Sequence, residues 1–301
     1  MSEMTEFPSL KLLKRGKNRD MWEVDDKHLL IYTSDRLSVF DSILPTTIPG
    51  RGELLTTATR YWCDKTKWII PNHISRSQIT LDQVLPDMEE RPNACKACQI
   101  VRKYKPILVE AIVRGFLYGN AWLEYSEYGT MNGDPLPEGM QKAQAFRYSH
   151  FTPTTKAPVG EHDRPMSQKE FFDVLGSELA DKILNQSIFL YEFAAHHLLK
   201  KGYILADTKF EFAVDEDDGE LVLIDEVITP DGSRIWNKGT YTPGQNQKSY
   251  DKDIVREYVS SYIAARPNET VDISKVSLPK EVVDLTYSRY HEFVETLTHE
   301  V

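Results

Sequence analysis

Polar and apolar positions change their period several times along the chain, and each change marks an element. "MWEV" and "HLLIYTS" alternate like half-buried strands, and Asp25-Asp26 between them predicts a hairpin over residues 21–34. "ELLTTATRYWCDKT" then puts Leu54, Leu55, Ala58, Tyr61 and Trp62 on one stripe, which predicts an amphipathic helix. Residues 71–98 are polar without a period and read as a linker or small subdomain. "PILVEAIVRGF" is an apolar run interrupted by Glu110 and Arg114, most simply a buried strand. Residues 129–166 mix glycine, proline and polar residues and read as a long loop, a length that usually serves as a lid or binding segment. Ser167 followed by Glu170 is a capping-box pattern, and a second helix over about 175–201 stops at Gly202. A hairpin is predicted over 205–227 and a mostly helical tail from 251 to 301. Strand-rich and helical segments alternate irregularly, without a repeat, so the expected class is α+β rather than a doubly wound parallel sheet.

The hairpin "LADTKFEFAVDEDDGELVLIDEV" poses a problem in its first arm. Alternation puts Thr208, Phe210 and Phe212 on one face and Asp207, Lys209 and Glu211 on the other. Many antiparallel sheets have one wet face, so a solvated charge pattern is one reading. A turn centred near Asp217 brings Glu211 close to Asp225, with Lys209 near both. Two carboxylates converging beside a lysine give the second reading, a platform for magnesium and polyphosphate, because Mg²⁺ takes one or two carboxylates and fills its shell with water or phosphate oxygens.

Composition narrows the setting. A chain 41% hydrophobic and 27% charged is that of a globular protein. No run approaches the roughly 18 apolar residues of a membrane span, and "MSEMTEFPSLKLLKRGKNRD" lacks the apolar centre of a secretory signal. A net charge of −10 argues against a general nucleic-acid surface, so any phosphate recognition must be local. Cys63, Cys95 and Cys98 are too few to staple the chain, which fits a reducing cytoplasm. Cys95 and Cys98 have the spacing of half a zinc site, but no second pair exists. His73, the nearest upstream histidine, stands alone, so the pair reads as incidental.

Several clusters could hold an anionic ligand. "KRGKNRD" sets Lys14, Arg15, Lys17 and Arg19 around Gly16, where backbone N–H groups and lysines can approach a polyphosphate. "SDRLSVFD" bunches Ser34, Asp35, Arg36, Ser38 and Asp41 at a strand end, with ordinary turn chemistry as the alternative. Arg114 must find an anion or pair with Glu110. Lys156, Glu161, His162 and Asp163 gather in the long loop, and the turn of "TPDGSR" aims Arg234 back at the hairpin's charged face. Together these suit an ATP-dependent reaction on an anionic small molecule; a nucleotide-sensing module without chemistry is the alternative class.

The ordered motifs "RGKNRDMWEV", "SDRLSVFD", "EAIVRGFLYGNAW", "FTPTTKAPVGEHD", "ILADTKFEF", "IDEVITPDGSRIW" and "SYDKDIVREYV" resemble the SAICAR synthetases, in their longer form of about 300 residues, over nearly the whole chain. The resemblance implies an ATP-grasp-like fold of two α+β parts, here residues 1–104 and 105–301, with the nucleotide between them. It implies ligation of L-aspartate to carboxyaminoimidazole ribonucleotide (CAIR), with ATP and Mg²⁺, giving SAICAR, ADP and phosphate. Carried over by position, Gly16, Lys17 and Arg19 would line the ATP phosphates, and Glu211 and Asp225 would hold the metal. Lys209 would neutralise charge and Asp207 would sit near the imidazole end, these two being the catalytic candidates. Arg114, Asn120 and Arg234 would grip the 5′-phosphate. Asp35, Arg36, Ser38, Lys156 and Asp163 resemble substrate contacts, and Asp251, Lys252 and Arg256 would close the site. A monomer is favoured over a dimer. Leu108, Asn120 and Ala213 depart from the family's usual proline, serine and glycine, which leaves a paralogous ligase using another carboxylate and amine as the alternative.

Overall fold

A computed structural model of the chain describes residues 7–85, 95–156 and 163–299. Four strands, β1 (Lys11–Arg15), β2 (Arg19–Glu23), β3 (His28–Thr33) and β4 (Cys98–Arg102), form one antiparallel sheet in the order β1-β2-β3-β4. The predicted hairpin is β2–β3, with Trp22 opposite Leu30. Trp22, Leu30, Cys98 and Ile100 are buried with Phe7 beneath this sheet. Helix α1 (Arg51–Thr66) buries the predicted stripe, with Leu55, Ala58 and Trp62 each at most 2% exposed. Although α1 lies within residues 1–104, its apolar face packs into the larger core of the second half.

The second sheet is built on two long central strands, β5 (Val109–Phe116) and β7 (Tyr203–Val214), paired antiparallel so that Asp207 faces Arg114 and Lys209 faces Ile112. Between them in sequence lie α2 (Asn120–Tyr128), β6 (Ala145–Phe151), α3 (Gln168–Leu175) and α4 (Ser177–Lys200). On its other side β7 pairs first with β9 (Ser233–Asn237) and then with β8 (Leu221–Ile224). Helices α5 (Asp253–Ala264) and α6 (Lys280–Thr298) complete the predicted helical tail. The alternation in β7 is real: Thr208, Phe210 and Phe212 are at most 1% exposed and face the core with α4.

Three expectations need correction. The segment read as a long loop contains β6, an edge strand on β5, and a two-residue hairpin at 130–135. As an edge strand β6 keeps four of its seven residues half-buried and three exposed, so no alternating pattern betrayed it. The segment read as a linker at 71–98 is partly structural: Leu223 donates its N–H to Pro71 O at 2.9 Å and accepts from His73 N at 3.0 Å, and Arg102 N donates to His73 O at 2.8 Å. Residues 71–73 therefore stitch the two sheets together. Ser167 does cap α3, accepting from Glu170 N at 3.2 Å, but the Glu170 carboxylate turns to Arg164 at 3.0 Å rather than closing a box.

Candidate active site

A cavity of about 600 Å³ opens between the two sheets. Met21, Leu29, Ile31 and Val101 give it an apolar wall, and the β1–β2 turn with the charged face of β7 and the end of β8 gives it a polar floor. Gly16 N donates to Arg19 O at 2.7 Å, closing the turn. A Cβ at Gly16 would lie 2.6 Å from that same oxygen, so only glycine fits there. Arg36, predicted as a substrate contact, instead braces the turn: its guanidinium donates to Gly16 O at 3.1 Å and to Asp20 at 2.6 Å. Asp35 is likewise committed, its two oxygens accepting from Gly50 N at 3.0 Å and Gly52 N at 2.9 Å at the start of α1. Ser38 stands half-buried in a two-residue strand nearby, and Lys17 pairs with Asp41 at 2.8 Å.

On the floor, Lys209 Nζ lies 2.9 Å from both Glu110 and Glu211, and Glu211 also pairs with Lys156. Arg19 pairs with Asp225 and, at 2.9 Å, with Glu226. Asp225 adopts a left-handed backbone, φ 64°, which Asp tolerates better than most residues. Burial opposes the charge on Lys209, but Glu211 and Glu110 outweigh it and hold the ammonium well above its usual range. Burial, with Asp225 nearby, raises the Glu211 carboxyl despite Lys209 and Lys156. Burial pushes Asp225 the same way, yet Arg19, Lys209 and Lys156 hold it well below the carboxylate range. A divalent cation between Glu211 and Asp225 would relieve the strain on Glu211, and two oxygen donors suit Mg²⁺ rather than a softer metal. Among the described residues no group of three or more His, Cys, Asp or Glu forms a protein-only metal cage. Cys63, Cys95 and Cys98 are buried. Lys156 and Asp163 line the cavity; Glu161 and His162 lie outside the described residues.

A second cavity of about 260 Å³ lies beside the first, and Lys209 lines both. Its cationic wall is Arg114, Arg234 and Arg256, with Asn120 at the start of α2. The alternative reading of Arg114, an ion pair with Glu110, does not form, because the pairing of β5 with β7 puts Asp207 opposite Arg114. Asp207 Oδ2 accepts from Arg114 and from Arg234, each at 2.7 Å. Asp207, predicted as a catalytic candidate near the imidazole, is thus 5% exposed and holds two guanidiniums. Arg234 also bonds Asp253 at 3.2 Å and lies against Gly119, where a Cβ would sit 2.5 Å from its Nη2. Burial lowers the Arg114 guanidinium even beside Asp207, so an added anion would be welcome there.

Asp251 and Lys252, expected to close the site, stand behind this wall. Asp251 accepts from Ile235 N at 2.8 Å and Asp253 N at 2.7 Å, and burial with the Asp253 charge pushes it up to about 7. Lys252 pairs with Asp231 at 2.7 Å, as does the fully buried Arg51 at 2.5 Å. Arg51 and Asp231 escaped the sequence reading; a fully buried arginine has no signature in a pattern of periods.

The description of SAICAR synthetase matches residues 12–271 of the chain. The phosphoribosylaminoimidazole-succinocarboxamide synthase of Methylobacillus flagellatus is 44% identical over 96% of this chain and 95% of its own length. The chain belongs to the SAICAR synthetase family. A SAICAR synthase from Saccharomyces cerevisiae, solved with SAICAR, superposes with a TM-score of 0.84 at 36% identity, covering 98% of this chain and 97% of that one. A more distant SAICAR synthetase, solved with ADP, shares the fold with a TM-score of 0.67 at 21% identity over 96% of this chain and 98% of its own. The expected α+β SAICAR synthase fold is the one observed. ATP-dependent ligation of CAIR and L-aspartate to SAICAR, a step of purine biosynthesis, is therefore the activity of this chain, and the family's own reaction is favoured over the paralogous ligase or the binding module. The three departures from the SAICAR synthetase pattern sit quietly: Leu108 is 68% exposed, Ala213 is buried in regular strand against Val222, and Asn120 is exposed at the rim of the smaller cavity.

Proposed function

We propose that the two cavities are halves of one reaction centre, with ATP in the larger and CAIR in the smaller. The observation that carries this is Lys209, which lines both cavities and is held protonated between Glu110 and Glu211. The ADP held by the distant relative supports a nucleotide here. The apolar wall receives the base, and the Gly16–Arg19 turn, with Lys17, receives the phosphates. Glu211 and Asp225 would hold Mg²⁺, which when bound supplies charge neutralisation for the polyphosphate. Arg114, Arg234 and Asn120 grip the ribonucleotide phosphate, with Arg256 beside them; Asp207 positions the two arginines by bonding both.

The chemistry follows from the reactants. A free carboxylate resists attack by an amine, so the CAIR carboxylate first takes the γ-phosphoryl group, releasing ADP. The aspartate amine then attacks the acyl carbon, and inorganic phosphate leaves as the amide forms. The protein positions the groups and stabilises charge. Lys209 lies where the carboxylate and the transferred phosphoryl group would meet, and its ammonium offsets their combined negative charge. Lys156 and Asp163, on the rim of the larger cavity, and Ser38 are the remaining contacts proposed for substrates. Asp35, Arg36, Asp251 and Lys252 serve by holding the turn and the arginine wall in place.

We place the protein in the cytoplasm as a monomer. Three buried cysteines, too few to staple the chain, support a reducing compartment, and among the described residues no helix is long and apolar enough to cross a membrane.

Asp225→Asn tests the metal floor, because it removes a negative ligand and keeps the side-chain shape. At saturating magnesium we expect turnover to fall at least about a hundredfold, the scale of losing one preorganised electrostatic element. Near-normal magnesium-dependent turnover would remove Asp225 from the metal site.

A further inference from the structure

Five charged side chains at the smaller cavity form a row in which each bonds the next: Arg114, Asp207, Arg234, Asp253 and Arg256. Asp207 Oδ2 accepts from Arg114 Nη1 and from Arg234 Nη1, each at 2.7 Å. Asp253 extends the row, its Oδ2 accepting from Arg234 Nε at 3.2 Å and its Oδ1 from Arg256 Nη1 at 2.5 Å. The three arginines line the cavity, while Asp253 is 6% exposed and takes no part in the lining. The backbone sets its place. Asp253 opens α5, and its N–H donates to Asp251 Oδ1 at 2.7 Å. The other oxygen of Asp251 accepts from Ile235 N at 2.8 Å, next to Arg234 in β9. Val255 and Val259 pack the same helix into a core with Leu37, Val39 and Ile48. Asp253 is thus held between an arginine of the strand and an arginine of its own helix.

Charge decides what this arrangement does. Guanidiniums gathered at one small cavity repel one another, and partial burial makes each costlier still. Burial pushes the Asp253 carboxyl up, but Arg234 and Arg256 outweigh it and hold the group below the usual carboxylate range. Ionised, it lets Arg256 stand beside Arg234. Two carboxylates do not neutralise three guanidiniums, so the row keeps a positive charge for an anion. Donors remain as well. Among the described residues Arg234 commits Nε and Nη1 but not Nη2, and Arg256 commits Nη1 alone. We propose that Asp253 is a positioning residue for the ribonucleotide, setting Arg256 beside Arg234 so that both guanidiniums meet the 5′-phosphate together. This rests on the CAIR phosphate occupying the smaller cavity.

Steady-state kinetics of the full chain, with CAIR and ATP varied in turn, test the proposal in Asp253→Asn, Arg256→Gln and the double variant. Asp253→Asn should raise the CAIR KM about tenfold, the scale of one hydrogen bond to a charged group, and leave kcat and the ATP KM within about twofold. Arg256→Gln should do the same. The double variant should be little worse than either single one, because the carboxylate acts through that arginine. A residue serving the fold alone would lower the melting temperature without singling out one KM. An unchanged CAIR KM in Asp253→Asn overturns the proposal, and so does a lowered one, since the carboxylate would then only repel the phosphate. An equal rise in the ATP KM overturns it too, as do single effects that multiply in the double variant. Should Asp253→Asn fail to fold, Arg256→Gln still decides, because an unchanged CAIR KM there leaves Asp253 no arginine to act through. Arg114→Gln separates the two layers of the inference. If it raises the CAIR KM while Asp253→Asn does not, only the Asp253 assignment fails; if neither variant moves it, the phosphate is not in this cavity and both readings fall.

Discussion

Arg234 rests against the bare Cα of Gly119, bonds Asp207 and Asp253, and keeps a face on the smaller cavity. Its fork is needed for that geometry. Lysine would keep the charge and lose the planar pair of donors. In steady-state kinetics Arg234→Lys should raise the CAIR KM several-fold more than the ATP KM; a rise confined to ATP would put the arginine at the wrong ligand. The identity of such residues was readable where local chemistry announced them, as with Gly16 in its basic turn or Arg234 after Asp231-Gly232. Their partners were not. Arg114 has Glu110 four residues away in sequence, yet its bond is to Asp207, 93 positions on, because strand pairing rather than proximity decides. Nothing local reveals that residues 71–73 lie between two sheets.

At the scale of elements, the β7–β8 hairpin was the most legible feature because its two faces differ so sharply. Phenylalanines fix one face to the core, which leaves acid, base and acid on the other, and a one-residue slip would bury the charges. The edge strand β6 gave no such contrast and stayed hidden. The start of α1 shows the opposite error, in which polar residues at a strand end invite a functional reading. Asp35 accepts two backbone N–H groups there and acts as the cap that Gly50, with its φ of 83°, cannot supply. Asp35→Ala should therefore cost about 0.5–2 kcal/mol in a urea denaturation experiment, the range for losing a cap. The CAIR KM should hold within about twofold, and a large KM increase without loss of stability would return Asp35 to the substrate.

Across the whole molecule, the site depends on pieces from distant parts of the chain meeting at Asp231. Its carboxylate receives Arg51 from α1 at 2.5 Å, Lys252 from the approach to α5 at 2.7 Å, and the Tyr290 hydroxyl from α6 at 3.0 Å. Burial opposes this charge, but Arg51 and Lys252 hold Asp231 well below the carboxylate range. Asp231→Asn would leave two buried cations without their counter-charge, so unfolding free energy should drop by about 3–5 kcal/mol. A loss under about 1 kcal/mol in chemical denaturation would show that the knot does not hold the halves together. The acidic hairpin turn makes a second tie, since Asp217 meets Arg102 at 2.5 Å and Asp218 meets Arg76 at 2.8 Å. Between these ties the two cavities share Lys209, and on that juncture the proposed reaction depends. A crystal structure with MgADP and CAIR bound examines it directly. We expect the diphosphate at the Gly16–Arg19 turn, the metal between Glu211 and Asp225, the ribonucleotide phosphate on Arg114 and Arg234, and the CAIR carboxylate beside Lys209. Nucleotide phosphates bound to Arg114 and Arg234 instead, or a CAIR carboxylate remote from Lys209, would contradict it.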